Sequence, residues 1–279
     1  MLTPTQLNQF QTQGFLLGDR VLTDAQIEQL RAELDRVIRD KDQPGPQPVL
    51  LSNISQHRDS VIWQIVNIWE ASAPFRTLVA HPVIAAEIAQ LTGAREVRLW
   101  HDQIQSKIAA KGGVNMWHQD WPYWGILDAP QQVTAWIPLD DVDAANGCMS
   151  MVPGSHLWGN QIEFLHGLPR FDAMPSHFQD HALAVRLCPV QQGCVHYHHA
   201  LTWHGSHANT SSRPRRAIAL HYMTDQTRYR ATGTHLMKPL VTVADGQPLT
   251  GDHFPRVWPV ENDPEGNATP NPRRIFQTG

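Results

Sequence analysis

The stretch Glu96-Val97-Arg98-Leu99-Trp100-His101-Asp102-Gln103-Ile104-Gln105-Ser106-Lys107 is where the chain changes its period. Before it, apolar residues recur at helical spacing. From Glu96 on they alternate, which places Val97, Leu99, His101, Gln103, Gln105 and Lys107 on one strand face. The end of that face is polar, so it looks onto something other than a plain apolar core. Val133 to Leu139 alternates in the same way, with Thr134, Trp136 and Pro138 opposite Val133, Ala135, Ile137 and Leu139. Asn146-Gly147 and Pro153-Gly154-Ser155-His156 are turn signals. Further strands are expected at about 183–188, 194–199 and 216–223.

Upstream, two capping-box patterns mark helix starts, at Thr3-Pro4-Thr5-Gln6 and Thr23-Asp24-Ala25-Gln26. Gly14 ends the first helix. Ile27, Leu30, Leu34, Val37 and Ile38 give the second its apolar face. Residues 42–48 form a loop, and about 60–92 reads as helical, broken at Pro74 and Pro82. Helices followed by many short strands predict an α+β chain with a β-sandwich or barrel at its centre. The expected layout is one domain over 1–279. It has a mainly helical flank (1–95), a strand core (96–225) with a loop insertion at about 157–182 that could cover a site, and an irregular C-terminal wrap (226–279).

With 41% hydrophobic and 17% charged residues, the 279-residue chain can bury a sizeable core. The net charge of −4 and the lack of a basic block argue against nucleic acid or an anionic membrane as partner. No apolar run is long enough for a membrane span, and the N-terminus lacks a signal-peptide layout. Cys148, Cys188 and Cys194 have no Cys-x-x-Cys spacing, so free thiols in a reducing cytoplasm are expected. A small-molecule partner remains, and the sequence does not set the oligomeric state.

The chemistry concentrates in two short segments. Trp117-His118-Gln119-Asp120 places an imidazole and a carboxylate two residues apart, on one side of a strand end. Trp203-His204-Gly205-Ser206 offers a second imidazole, with Arg215 eleven residues beyond His204. Two His and one carboxylate are the facial ligand set of non-haem Fe(II) oxygenases, which leaves metal positions open for co-substrate and O2. A guanidinium suits the far carboxylate of a dicarboxylate co-substrate such as 2-oxoglutarate. His196, His198, His199, His207 and His221 also crowd the region, and a zinc site built on His196, His198 and His199 is an open alternative. Ser206 is placed to donate to a carboxylate oxygen and Lys107 to add charge beside it. Ala217 and Ala219, on the strand face of Arg215, leave room for a ligand. Gln103 could orient a substrate. Trp117, Trp121, Tyr123 and Trp124 could line its pocket, stack on a ring or enclose a cationic amine, or simply pack the core. No Lys/Arg patch suits coenzyme A phosphates, so a small organic metabolite is favoured over an acyl-CoA.

Taken together, these motifs resemble the phytanoyl-CoA dioxygenase family over most of the chain. The resemblance runs from the helix–Gly14-Phe15–helix opening through Trp117-His118-Gln119-Asp120-Trp121 and Val133 to Asp141. It continues through Asn146-Gly147-Cys148, Pro153-Gly154-Ser155-His156 and His204-Gly205-Ser206, and ends at Asn209 and Arg215-Arg216-Ala217. It implies a double-stranded β-helix (jelly-roll, cupin-like) core flanked by N-terminal helices. It also implies Fe(II) on His118, Asp120 and His204, with 2-oxoglutarate held by Arg215 and Ser206 and in the neighbourhood of Lys107 and Trp136. Gln103, Gln119, Trp121, Tyr123 and Trp124 are the candidate substrate residues. Related halogenases carry a small residue in place of the carboxylate; Asp120 favours hydroxylation or another oxidation. Two other classes stay open: a cupin-like isomerase or hydrolase, which would not need 2-oxoglutarate, and a non-catalytic jelly-roll binding protein.

Overall fold

The computed structural model describes residues 1–54, 62–110 and 112–259. The N-terminal part contains α1 (Pro4–Gln13), β1 (Phe15–Arg20), α2 (Asp24–Arg39), β2 (Leu50–Asn53), β3 (Ile62–Val66), α3 (Ala73–Val79) and α4 (Pro82–Thr92). Next come β4 (Val97–Lys107), β5 (Asn115–His118), β6 (Val133–Pro138), β7 (Met149–Met151), α5 (Ile162–His166), β8 (His177–Phe178), β9 (His181–Ala182) and β10 (Arg186–Cys188). The chain continues with β11 (Cys194–His199), β12 (His204–Ser206), β13 (Arg215–Thr224) and β14 (Arg256–Trp258).

Both capping boxes form. Thr3 and Thr23 each accept from the backbone N–H three residues on, and Gln6 and Gln26 reach back to the cap backbone. Each such cap is worth about 1 kcal/mol. Gly14 closes α1 in the left-handed region at φ 82°, and a Cβ there would run into His156 and Thr202. Pro74 and Pro82 lie in the first turns of α3 and α4, where a missing N–H costs nothing.

Eight strands form the large sheet in the order β1-β11-β6-β13-β4-β3-β2, with β14 also on β4. A smaller sheet runs β10-β7-β12-β5. The two sheets form a jelly-roll. The helices pack on the outer face of the large sheet, where Ile27, Leu30, Leu34, Ile84 and Ile88 meet Ile65, Ile104, Ile137, Val195, Ile218 and Leu220 in the main core. Among the described residues, no helix is long and apolar enough to cross a membrane.

Three expectations change. The helical flank also supplies β1, β2 and β3 to the large sheet. Ile62–Val66 is a strand although its Ile62, Ile65 and Val66 fit helical spacing; pairing with β4 decides it. The start of that expected helix, like Lys111 and the tail beyond residue 259, lies outside the described residues. Second, β4 does not keep one face. His101 pairs with His221 while Leu99 pairs with the next residue, Tyr222, so Trp100 is an extra, bulged residue. The bulge turns Val97 and Leu99 into the main core, whereas His101, Gln103 and Gln105 face the opposite way, into a cavity. Third, the insertion is not a bare loop. It holds α5 and the small β8–β9 hairpin, and Leu165, Phe171, Phe164 and Phe178 pack it against Trp117 and Trp203.

Candidate metal centre

His118 ends β5 and pairs directly across with His204, the first residue of β12. The Gly205 that follows is forced by close approach: a Cβ there would lie 2.8 Å from the Asn115 carbonyl oxygen. Past His118 the chain turns, held by the N–H groups of Asp120 and Trp121, which both donate to the Ala200 carbonyl at 2.9 and 3.1 Å. This turn brings Asp120 Oδ1 to 3.8 Å from His118 Nε2 and 3.5 Å from His204 Nε2. The three ligand atoms lie within 4.8 Å of one another, and among the described residues this is the group of three that could hold a metal. Nδ1 of His118 contacts the Met116 carbonyl at 2.7 Å, and Nδ1 of His204 contacts that of Thr202 at 2.8 Å. A protonated Nδ1 leaves Nε2 as the lone-pair nitrogen aimed at the gap, the tautomer a metal requires.

The other oxygen of Asp120 is held from behind. Thr134 Oγ1 donates to Oδ2 at 3.2 Å, and His198 Nε2 lies 3.3 Å from it. Thr134 in turn contacts His221 Nδ1 at 2.8 Å. Burial opposes the Asp120 charge, but His204, His198 and His221 outweigh it and hold the carboxyl well below the usual range. Desolvation, with His204 adding to it, pushes His118 down to about 4. At neutral pH the set is therefore a carboxylate with a neutral His118, as metal binding needs. Burial also disfavours the His204 cation, but Asp120 wins and the pKa rises.

All three groups line a cavity of about 560 Å³ between the two sheets. Arg215 and Ser206 line it too. Arg215 is 2% exposed, its guanidinium lies 5.1 Å from the Trp136 ring centre, and its Nε and Nη1 have no hydrogen-bond partner. Burial lowers its pKa to about 10, so it remains a cation. A buried guanidinium with two unspent donors costs free energy unless something negative pairs with it. The donor set therefore fits a dicarboxylate: a fork of N–H groups, the Ser206 hydroxyl, and space above Ala217 and Ala219.

The remaining candidates divide. Gln103, Tyr123, Trp124 and Trp136 line the cavity. Lys107 does not. Its Nζ sits behind Ser206, donating to Ser206 Oγ at 2.8 Å and the His207 carbonyl at 2.9 Å. Burial, with Arg215 opposite it, lowers its pKa to about 6. Gln119 faces away from the cavity: it donates to the Gly159 and Leu201 carbonyls and accepts from the Gln161 N–H. Trp121 packs against an apolar cluster of Trp100, Trp124 and Phe254 and, unlike Trp124, does not line the cavity. The misplacement of Gln119 follows from strand alternation, since Trp117 and Gln119 must point opposite to His118 and Asp120. The alternative zinc set does not converge. His196 stacks on Phe15, His198 serves Asp120, and His199 lies on the other face beside His156. Thr134 was missed as a site residue; its signal was its place on the polar face of β6, two residues from Trp136. Gln105, on the polar strand face with Gln103, also lines the cavity, as do Gln64 and Asn115, which carried no comparable signal.

The family model described as phytanoyl-CoA dioxygenase (PhyH) matches residues 10–217. The peroxisomal phytanoyl-CoA dioxygenase of Mus musculus is 25% identical over 242 residues, covering 80% of this chain and 68% of that protein. An ectoine dioxygenase of Bordetella parapertussis is 28% identical over 161 residues, 56% of this chain and 50% of that protein. Among solved structures, the non-heme alpha-ketoglutarate-dependent carbocyclase SnoK from nogalamycin biosynthesis is similar at a TM-score of 0.74. It is 29% identical, with 91% of this chain and 96% of that one covered. The match over most of the chain, on a jelly-roll whose cavity carries the two imidazoles and the carboxylate, places the protein in the phytanoyl-CoA dioxygenase family of non-haem iron, 2-oxoglutarate-dependent enzymes.

Proposed function

We propose that the protein hydroxylates an unactivated C–H of a small organic metabolite, using Fe(II), 2-oxoglutarate and O2. The observation that carries this reading is the pairing, in one cavity, of the His118–Asp120–His204 set with a buried Arg215 that has two unspent donors. His118, Asp120 and His204 would hold Fe(II) on one side and leave its other positions toward the cavity. Arg215, assisted by Ser206, would hold the distal carboxylate of 2-oxoglutarate. When bound, iron and 2-oxoglutarate supply the oxidation: O2 is consumed, succinate and CO2 leave, and one oxygen atom goes to the substrate C–H. The chain's own residues fix the geometry for this. Thr134 and His198 keep Asp120 in one orientation, the backbone carbonyls of Met116 and Thr202 fix the two imidazoles, and Trp124 and Trp136 close the cavity wall against water. Lys107 orients Ser206 from behind.

Anaerobic addition of Fe(II) and 2-oxoglutarate tests this. A weak visible absorption band should appear only with both present and vanish in Asp120→Ala. No band, together with retained zinc, would sink the reading. The similarity to a carbocyclase favours keeping a second outcome in view, an oxidation without oxygen transfer. Product mass separates the two, since hydroxylation adds one oxygen atom.

A further inference from the structure

The cavity holds hydrogen-bonding capacity that neither a metal nor a dicarboxylate uses. Gln64 on β3 pairs across with Gln105 on β4, and Gln103 lies two residues further along the same face. Asn115 donates to Gln105 Oε1. The Gln64 and Gln103 side chains have no hydrogen-bond partner among the described residues. Ala219 stands opposite Gln103 on β13 and offers no group to its amide, while the Gln105 amide beside Gln64 is met at its oxygen by Asn115. A carboxamide both donates and accepts, so it matches a hydroxyl, a carbonyl or another amide. A ligand that displaces water from such groups without replacing its hydrogen bonds loses affinity.

The same wall offers nothing for a charged ligand. Histidines apart, the charged side chains lining the cavity among the described residues are Asp120 and Arg215. Both are spoken for under the proposed reading. The indole faces of Trp136 and Trp124 are taken as well. Arg215 covers Trp136, and Trp124 meets His101 and His221 edge-on. Among the described lining residues Tyr123 keeps an open ring, and a single ring makes no cage for an ammonium. At the mouth, Val114, Met116, Tyr123 and Leu236 are 39–51% exposed and line the opening.

We propose that the substrate is an uncharged molecule whose hydroxyl, carbonyl or amide groups are received by Gln64, Gln103 and Gln105, with its apolar frame against the rim. These three glutamines are the specificity-determining residues. The proposal rests on the iron and 2-oxoglutarate reading.

The test uses the full chain loaded with Fe(II) and 2-oxoglutarate. The probes are matched triplets of the cyclohexyl and decalin series, in which one skeleton carries a hydroxymethyl, an aminomethyl or a carboxylate group. Probe-stimulated succinate release and probe-induced rise in melting temperature are both read. The hydroxyl members should exceed their charged counterparts by roughly tenfold or more in succinate release, because a charge left unpaired in the wall is rejected. Gln103→Glu, which is isosteric, should shift the preference to the ammonium members, and Gln64→Leu should weaken the hydroxyl response. A charged member that outperforms its neutral counterpart, or triplets that do not differ, overturns the proposal. Loss of all succinate release, with or without probe, is instead the failure of the iron reading, and the proposal falls with it.

Discussion

On β13, Ile218 and Leu220 face the helices with no exposure, while Arg215, Ala217, Ala219 and His221 face the cavity. Beside it, β6 divides the same way, with Ala135 and Ile137 outward, Trp136 in the cavity wall and Thr134 behind Asp120. Ile104 of β4 joins the outer set and Gln103 and Gln105 the inner. One set of hydrogen-bonded strands thus carries two unlike surfaces. The outer face is an interlocked apolar layer and supplies stability through area removed from water. The inner face buries a guanidinium and several imidazoles, each of which costs desolvation and is retained for what it binds. The sheet lets these demands coexist because, away from the bulge at Trp100, neighbours along a strand point to opposite sides.

Substitutions on the two faces should therefore fail differently. The largest effect expected is Asp120→Ala, which should abolish turnover and iron binding while the urea midpoint without metal shows the protein still folded; retained activity would remove Asp120 from the ligand set. Next, Arg215→Ala should raise the apparent KM for 2-oxoglutarate by roughly 10- to 100-fold with a smaller change in kcat, the size of a lost charge-assisted hydrogen bond. An unchanged KM would detach the guanidinium from the co-substrate. His198→Ala should weaken iron affinity by about 10- to 100-fold, since it releases one oxygen of Asp120; titration with Fe(II) under nitrogen reads it. On the outer face, Ile218→Ala should cost about 2–5 kcal/mol of folding stability and leave the KM for 2-oxoglutarate alone. A shifted KM there would mean that the faces are coupled.

The smallest effect is a pH dependence. Lys107 has a folded pKa of about 6 against an ordinary value of 10.5. Between those two values the unfolded chain binds the proton and the folded chain does not, so stability rises with pH across that window. Below about 6 both states carry the proton and the cost of burying it is greatest. Lys107→Met should flatten the rise in urea midpoint between pH 6.5 and 9; equal slopes in the two proteins would contradict the assignment.

Legibility in the sequence tracked the range of the forces involved. Caps, helix faces and the alternation of β6 are local, and Thr3, Thr23 and Val133–Pro138 read correctly. The bulge at Trp100 was hidden because nothing in β4 itself demands it; it arises from the register against β13. The strand Ile62–Val66 mimicked a helix, and only its partner strand resolves the ambiguity. The residues His118, Asp120, His204 and Arg215 stood out as unusual chemistry in short motifs. Thr134 did not, because a threonine on a strand is ordinary until its partner is known. Trp121 and Trp124 illustrate the same limit. They are three residues apart in one aromatic run, yet only the second reaches the cavity.

The alternation at residues 117–120 has one more consequence. His118 and Asp120 grip the metal position, while Trp117 and Gln119, one step out of phase, grip the insertion through the Phe171 and Gly159 carbonyls and the Gln161 N–H. Four consecutive residues thus act as a single clasp between two separate bodies. If tightening one jaw tightens the other, thermodynamic reciprocity makes that coupling equal in both directions. The segment 157–182 should therefore report iron loading at a distance, being cut more slowly by trypsin at Arg170 when Fe(II) is bound; an unchanged cutting rate would show the jaws to be independent.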